Sequence, residues 1–287
     1  MVKLSRTAAA ALAALPLVLL GSIAAHAAAE PLPRDSTIVE KPAPPPPHAT
    51  VEEIEALRLR LRVAVDRRHA EGLLTAAESF AAMPEDEPLS WLARYYEGLA
   101  WYRLGELLHD RDERKLARKG FERAAKRARD ALKLRPSAPD AHTLLGAASA
   151  AQMRVTPWKR LFWRRRAERA LERAAELDPA SPRLWLLRGK IAYLSPREED
   201  ADRAEGVRHL ERATELFELA DEPPSPEPSW GHEEAWAYLA MIHMDQGELG
   251  EARVALEQAG FANPDSLWIT IELQERLAEK IASERTE

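Results

Sequence analysis

An all-α fold of stacked helix pairs, an irregular solenoid of about ten helices, is predicted by three observations. From Val51 onward, apolar residues recur at spacings of three and four, the period of one face of an α-helix. Pro136, Pro179 and Pro264 each close such a run, where a ring without an amide donor ends a helix. Small residues (Gly98, Gly146, Gly189 and Ala240) return at corresponding places in the first helix of successive pairs, where they let two helices approach closely. No stretch reads as a convincing strand.

The first segment, residues 1–27, reads as a secretory signal peptide. Lys3 and Arg6 give a short basic start, the run from Thr7 to Leu20 is apolar, and Ala25-His26-Ala27 offers small residues around a bulkier one. The apolar core of about fourteen residues is shorter than the roughly twenty a membrane span needs, so the expectation is cleavage rather than anchoring. The chain has no cysteine. That excludes disulfides, thiolate metal sites, a cysteine nucleophile and a lipidated cysteine, and it suits an oxidising compartment. The expected address is the periplasm or the outside of the cell. Residues 28–49 carry Pro31, Pro33, Pro42 and Pro44–Pro47. Rings that fix φ make this a semi-rigid spacer rather than a fold.

Residues 50–287 form the helical domain. Residues 50–82 read as a degenerate hairpin capping its front. The first full pair is marked by Gly98 and Trp101, then Ala124, Ala131 and Pro136. The second has Leu145-Gly146, then Ala167, Leu171, Ala174 and Pro179. In the third, Trp185, Gly189 and Ala192 precede Leu210 and Ala213. The fourth has Trp236, Leu239 and Ala240, a turn at Gly247, then Ala252, Leu256 and Ala259. Residues 267–283 read as a capping helix, entered through Asn263-Pro264-Asp265-Ser266. Spacing between the marker residues is wider in the first two pairs than in the fourth. The first pair should therefore have long helices, and the second an inserted loop from Met153 to Phe162.

The fourth pair, an aromatic, a leucine and a small residue followed by Ala, Leu, Ala and Pro, resembles the tetratricopeptide (TPR) repeat. The segments TPWK, LDPASPRLWLLRGK and PSWGHEEAWAYLA, in that order, resemble a group of exported bacterial TPR proteins. The resemblance implies a protein-interaction scaffold and not chemistry. It also implies a partner-binding groove on the first helix of each pair, at Tyr95, Tyr102 and Arg103, Thr143, Arg183, Lys190 and Tyr193, and Glu234, Met241 and Asp245. Tyrosines beside cations suit a peptide backbone or carboxylate. They also suit plain core packing.

Charge is uneven. The net charge is −6, yet residues 91–175 hold 21 Lys/Arg against 10 Asp/Glu, whereas residues 176–287 hold 11 against 25. Such a gradient would steer a charged partner or favour self-association of opposite ends. The sharpest local feature is Trp158-Lys159-Arg160-Leu161-Phe162-Trp163-Arg164-Arg165-Arg166. Trp and Arg are the residues most enriched at interaction hot spots, and the same mixture suits an anionic membrane or polymer. In the plainer alternative, Trp158 and Phe162 pin the insertion to the helices while the arginines are solvated. Nucleic acid is not expected at an exported address.

Catalytic patterns are missing. The eight histidines include no HExxH pair, there is no GxSxG elbow, and the twelve glycines form no phosphate-cradling loop. His232-Glu233-Glu234 reads as first-turn polarity favoured by the helix dipole. No enzyme activity, cofactor or metal is expected. The expected partner is a protein or peptide of the cell envelope. The alternatives are peripheral membrane contact and a small-molecule-binding accessory of a transporter.

Overall fold

The computed structural model describes residues 50–284, apart from 86–87, 195–199 and 222. The leader and spacer segments lie outside the described residues. Eleven α-helices are present among the described residues, without a strand: α1 (Val51–Asp66), α2 (Ala70–Ala81), α3 (Ser90–Asp110), α4 (Arg114–Leu134), α5 (Pro139–Val155), α6 (Arg160–Leu177), α7 (Pro182–Leu194), α8 (Asp200–Leu219), α9 (His232–Gln246), α10 (Leu249–Ala262) and α11 (Gln274–Glu284). A 3-10 turn (Pro157–Lys159) precedes α6, and a π-helical stretch (Trp268–Leu273) leads into α11.

Local chemistry accounts for the boundaries. Thr50 opens α1 with a capping box: its hydroxyl accepts from the Glu53 amide at 3.1 Å, and the Glu53 carboxylate accepts from the Thr50 amide at 3.0 Å. At the other ends, Arg135, Asp178 and Asn263 stop α4, α6 and α10 with nearly one geometry, φ between −134° and −150° and ψ between 85° and 91°. Each stands before a proline, whose ring excludes the helical region for the preceding residue. The fourth pair turns instead at Gly247, with φ +79°, a left-handed conformation open to glycine at little cost.

The helices pack as consecutive hairpins, α1/α2, α3/α4, α5/α6, α7/α8 and α9/α10, each helix lying mainly against its sequence neighbours. The first helices also touch one another in succession, α1 with α3, α3 with α5, α5 with α7 and α7 with α9. They thus form an inner layer, with the second helices outside. The first full pair is long, as its spacing predicted: α3 and α4 have 21 residues each, against 15 and 14 in α9 and α10. A glycine contact joins them, since a Cβ on Gly120 would stand 3.0 Å from the Gly105 Cα. Ala117, Ala124, Ala128 and Ala131 extend that close seam, all fully buried.

The inserted loop expected at Met153–Phe162 is not what the structure builds. The additional residues lengthen α5 to 17 and α6 to 18, leaving a tight corner between them. Thr156 makes the corner, donating from both its amide (2.9 Å) and its hydroxyl (2.6 Å) to the Gln152 carbonyl. The Gln152 side chain in turn donates to the Arg118 carbonyl of α4 at 3.0 Å.

Front and rear of the helical domain meet. Asn263, at the end of α10, donates to Asp66, at the end of α1, at 2.8 Å. Arg68 pairs with Glu272 of the π-helical stretch at 2.9 Å.

Candidate partner-binding groove

The inner layer brings most of the predicted groove residues to the same region, and it buries them. Arg103 of α3 and Glu234 of α9 form a two-pronged ion pair, with one prong at 2.8 Å, and both are at least nine-tenths buried. Arg103 also reaches Glu106, one helical turn on, at 3.2 Å. Lys190 of α7 pairs with the same Glu106 and lies 3.8 Å from Glu234. Two cations and two carboxylates thus neutralise each other within a cage of rings. The Arg103 guanidinium lies 4.7 Å from the Trp230 ring and 5.8 Å from that of Tyr102, and the Lys190 ammonium 4.9 Å from that of Tyr238.

Burial works most strongly on the Lys190 ammonium and the Glu106 carboxylate, but their attraction for each other, together with that of Arg103 for Glu106 and of Glu234 for Lys190, outweighs that penalty. Lys190 is held well above the usual lysine range and Glu106 below the usual carboxylate range. Burial pushes the Tyr238 hydroxyl up to about 12. Glu233 behaves differently. Its carboxyl is raised from 4.5 to about 7 by burial and by the neighbouring Glu234.

Tyr95, with its neighbour Tyr96, sits under a strap formed by residues 225–230, between α8 and α9. The Trp230 indole donates to the Tyr95 hydroxyl at 2.8 Å, and the Tyr96 hydroxyl donates to the Pro226 carbonyl at 2.7 Å. Arg135 reaches Glu227 at 3.3 Å. Arg183 is held by Asp140 at 2.6 Å. Tyr95 is therefore fully buried, and Thr143 of α5 is 1% exposed; neither presents itself to a partner. The remaining predicted positions lie at the half-buried rear. Tyr193 donates to Asp245 at 3.1 Å, Arg276 donates to the same carboxylate at 2.7 Å, and Met241 stands beside them on α9.

Between these groups lies a cavity of about 410 Å³. Arg103, Glu106, Lys190 and Glu234 contribute to one part of its wall, Met241 and Arg276 to another. Asp66 and Glu233 line both this cavity and an adjoining one of about 290 Å³. Burial raises the Asp66 carboxyl, partly offset by the hydrogen bond from Asn263. Sequence reasoning missed Glu106, Glu233 and the strap. A signal for Glu106 existed in its position three residues after Arg103, the spacing of an ion pair on one helix face.

The basic-aromatic segment lies elsewhere, on the α5–α6 corner. Trp158 is 71% exposed, and Leu161 and Phe162 are more than half exposed. The alternative in which Trp158 and Phe162 pin an insertion is thereby corrected, because both project outward; the corner is held by Thr156 and Gln152. Lys159, Arg164 and Arg165 are exposed, while Arg160, Trp163 and Arg166 are half-buried. Phe162 meets the Trp163 ring edge-on at 4.9 Å.

No family model and no curated protein matches the chain. Among solved structures it is similar to the HusA haemophore from Porphyromonas gingivalis, with a TM-score of 0.54 and 21% identity, covering 67% of this chain and 92% of that one. It is also similar to TTC0263, a thermophilic TPR protein of Thermus thermophilus, with a TM-score of 0.54 and 18% identity, covering 79% and 99% respectively. At these identities the likeness concerns the fold alone, and with the stacked hairpins and their inner layer it gives one conclusion: the chain has a TPR-like fold.

Proposed function

We propose that the chain is an exported scaffold that binds a peptide segment of a cell-envelope protein along its inner layer, and that it acts by binding rather than by chemistry. One observation carries the reading: the five inner helices α1, α3, α5, α7 and α9 direct charged side chains of both signs, with Tyr238, at one cavity. The strap supports it, since residues 225–230 already lie along α3 as a peptide would, met by tyrosine hydroxyls and an arginine. A bound segment would enter beside Met241 and Asp245, where the wall is half-buried. The test is brief in-cell cross-linking followed by affinity capture of the mature chain, tagged at its C-terminus. An envelope protein captured by the wild type in a salt-sensitive way and lost with Met241→Arg, whose circular dichroism stays unchanged, supports the proposal. An identical captured set from both proteins overturns it. N-terminal sequencing of exported material tests the leader, with a start at residue 28 expected.

A second reading rests on the exposed corner. Trp158, Leu161 and Phe162 beside Lys159, Arg164 and Arg165 have the composition of a peripheral contact with an anionic membrane. Flotation with phosphatidylglycerol vesicles that is lost in Trp158→Ala/Phe162→Ala would support it. Flotation unaffected by those changes, or none at all, would remove it.

A further inference from the structure

A third cavity, which adjoins the groove's charged wall at Arg154 and Lys190, opens between α5 and α7. Its volume is about 300 Å³. Ala147, Ala150 and Ala151 of α5 face Leu187, Ile191 and Leu194 of α7 across it. The alanines are what make the space: larger side chains at those three positions would fill it. Tyr102 and Lys190 also line it, and the Lys190 ammonium is already paired with Glu106.

Two further cations border the same space. Arg154 leaves the last turn of α5 and Arg160 the first turn of α6, and both are half-buried. Arg154 rests 5.9 Å from the Phe121 ring and acts on Glu106 only through space. Among the described residues neither guanidinium has a carboxylate at salt-bridge distance. Two other arginines of the inner layer each have one: Arg103 has Glu234, and Arg183 has Asp140. Arg160 also stands at the amino end of an 18-residue helix, whose cap, Lys159, supplies no side-chain acceptor. The helix dipole adds to the positive potential there.

An apolar chamber bordered by two guanidiniums without a contacting carboxylate selects a ligand with an apolar body and one anionic head. We propose that this cavity binds an amphipathic monoanion, a medium-chain aliphatic or aryl carboxylate, with the body between α5 and α7 and the head on Arg154 and Arg160. The volume sets the size. At about 30 Å³ for a group the size of water, it holds a body of about ten heavy atoms. A guanidinium meets a carboxylate through paired N–H donors, and a neutral head leaves those donors without an ionic partner. Specificity then lies in the charge of the head and in the length of the body.

The probe is decanoate, with decanol as the neutral control of equal length, titrated calorimetrically into the full mature chain below the concentration at which decanoate forms micelles. Saturable binding of one decanoate per chain is expected, with decanol at least about tenfold weaker. Arg154→Gln/Arg160→Gln should weaken decanoate at least about tenfold while leaving decanol unchanged, and Ala150→Leu, which fills the chamber, should weaken both. Trp158→Ala/Phe162→Ala should leave decanoate binding intact, which separates the chamber from the exposed corner. Absence of saturable binding, equal affinity for decanoate and decanol, or indifference of decanoate to the arginine changes would each overturn the proposal. Should Ala150→Leu fail to fold, the two arginine changes at half-buried positions still decide the matter.

Discussion

Replacing Glu233 by glutamine should stabilise the protein by an amount that grows from about pH 4.5 and levels off above about pH 7. The carboxyl is raised from 4.5 to about 7 by burial and by Glu234 beside it. Between those two values the folded chain holds more protons than the unfolded one, so the native state loses stability as pH rises through that window. At about 1.4 kcal/mol for each tenfold change in proton affinity, the displacement corresponds to at most about 3 kcal/mol. Glu233 is half-buried and faces the cavity, so solvent screening brings the expected figure to about 1–2 kcal/mol. Glu233→Gln should therefore match the wild type near pH 4.5 and exceed it by about 1–2 kcal/mol at pH 8. In a domain of this size that is a gain in Tm of roughly 3–6 °C. The quantity to measure is the difference between variant and wild type in urea unfolding across pH 4.5 to 8, because other groups titrate there too. His209 and His232, both lowered by burial, contribute stability that is lost as pH falls, and the difference cancels them. A difference that stays flat with pH, or that shrinks as pH rises, would refute the reasoning.

Three further outcomes are expected. Glu234→Gln breaks the two-pronged pair and leaves the buried Arg103 with Glu106 alone, which should cost about 3–5 kcal/mol in urea denaturation, whereas Arg103→Met/Glu234→Met, which removes both charges, should recover part of it. Gly189→Ala would place a Cβ 2.5 Å from the Leu210 Cγ and 3.0 Å from the Gly206 carbonyl oxygen; overpacking of this kind costs about 1–3 kcal/mol, read as a lowered urea midpoint. Trp230→Phe removes the donor to Tyr95, leaving a buried hydroxyl short of a partner at a cost of about 1–3 kcal/mol, and should speed amide exchange in the strap.

The repeats were legible because their markers are local. A glycine or alanine at the crossing of two helices, and a proline one residue beyond a stop, carry the same physical meaning wherever they occur. Arg135, Asp178 and Asn263 show this, since one dipeptide geometry ended three helices. The groove was legible only as a set of positions. Transferring the repeat's inner positions picked out Arg103, Lys190 and Glu234 and placed them on one layer. Their finding each other rather than facing solvent depends on α3 and α9 meeting across 131 residues of sequence, which no periodicity encodes. The strap was illegible for a similar reason. Residues 225–230 have neither helical nor strand spacing, and what orders them is the chemistry of α3, through Tyr95 and Tyr96, and of α1, where Glu55 accepts from Ser225 and Arg58 donates to Ser229. At the α5–α6 corner the count of additional residues was read correctly and its form was not, because spacing between marker residues does not distinguish a loop from two longer helices.

The hydrogen bond between Asp66 and Asn263 fixes how many repeats this chain can have. An open array of helix pairs tolerates the gain or loss of a unit, since each pair meets only its neighbours. Here the two partners are 197 residues apart and meet because five hairpins bring the end of α10 back to the end of α1. A sixth hairpin would carry Asn263 and Glu272 past Asp66 and Arg68, and a fourth would fall short of them. The same contact makes residues beyond α9 necessary for finishing the first hairpin, so a chain truncated after α9 would leave Asp66 without its amide partner. Repeat number, a loose variable in most solenoids, is here a property of the closed circuit.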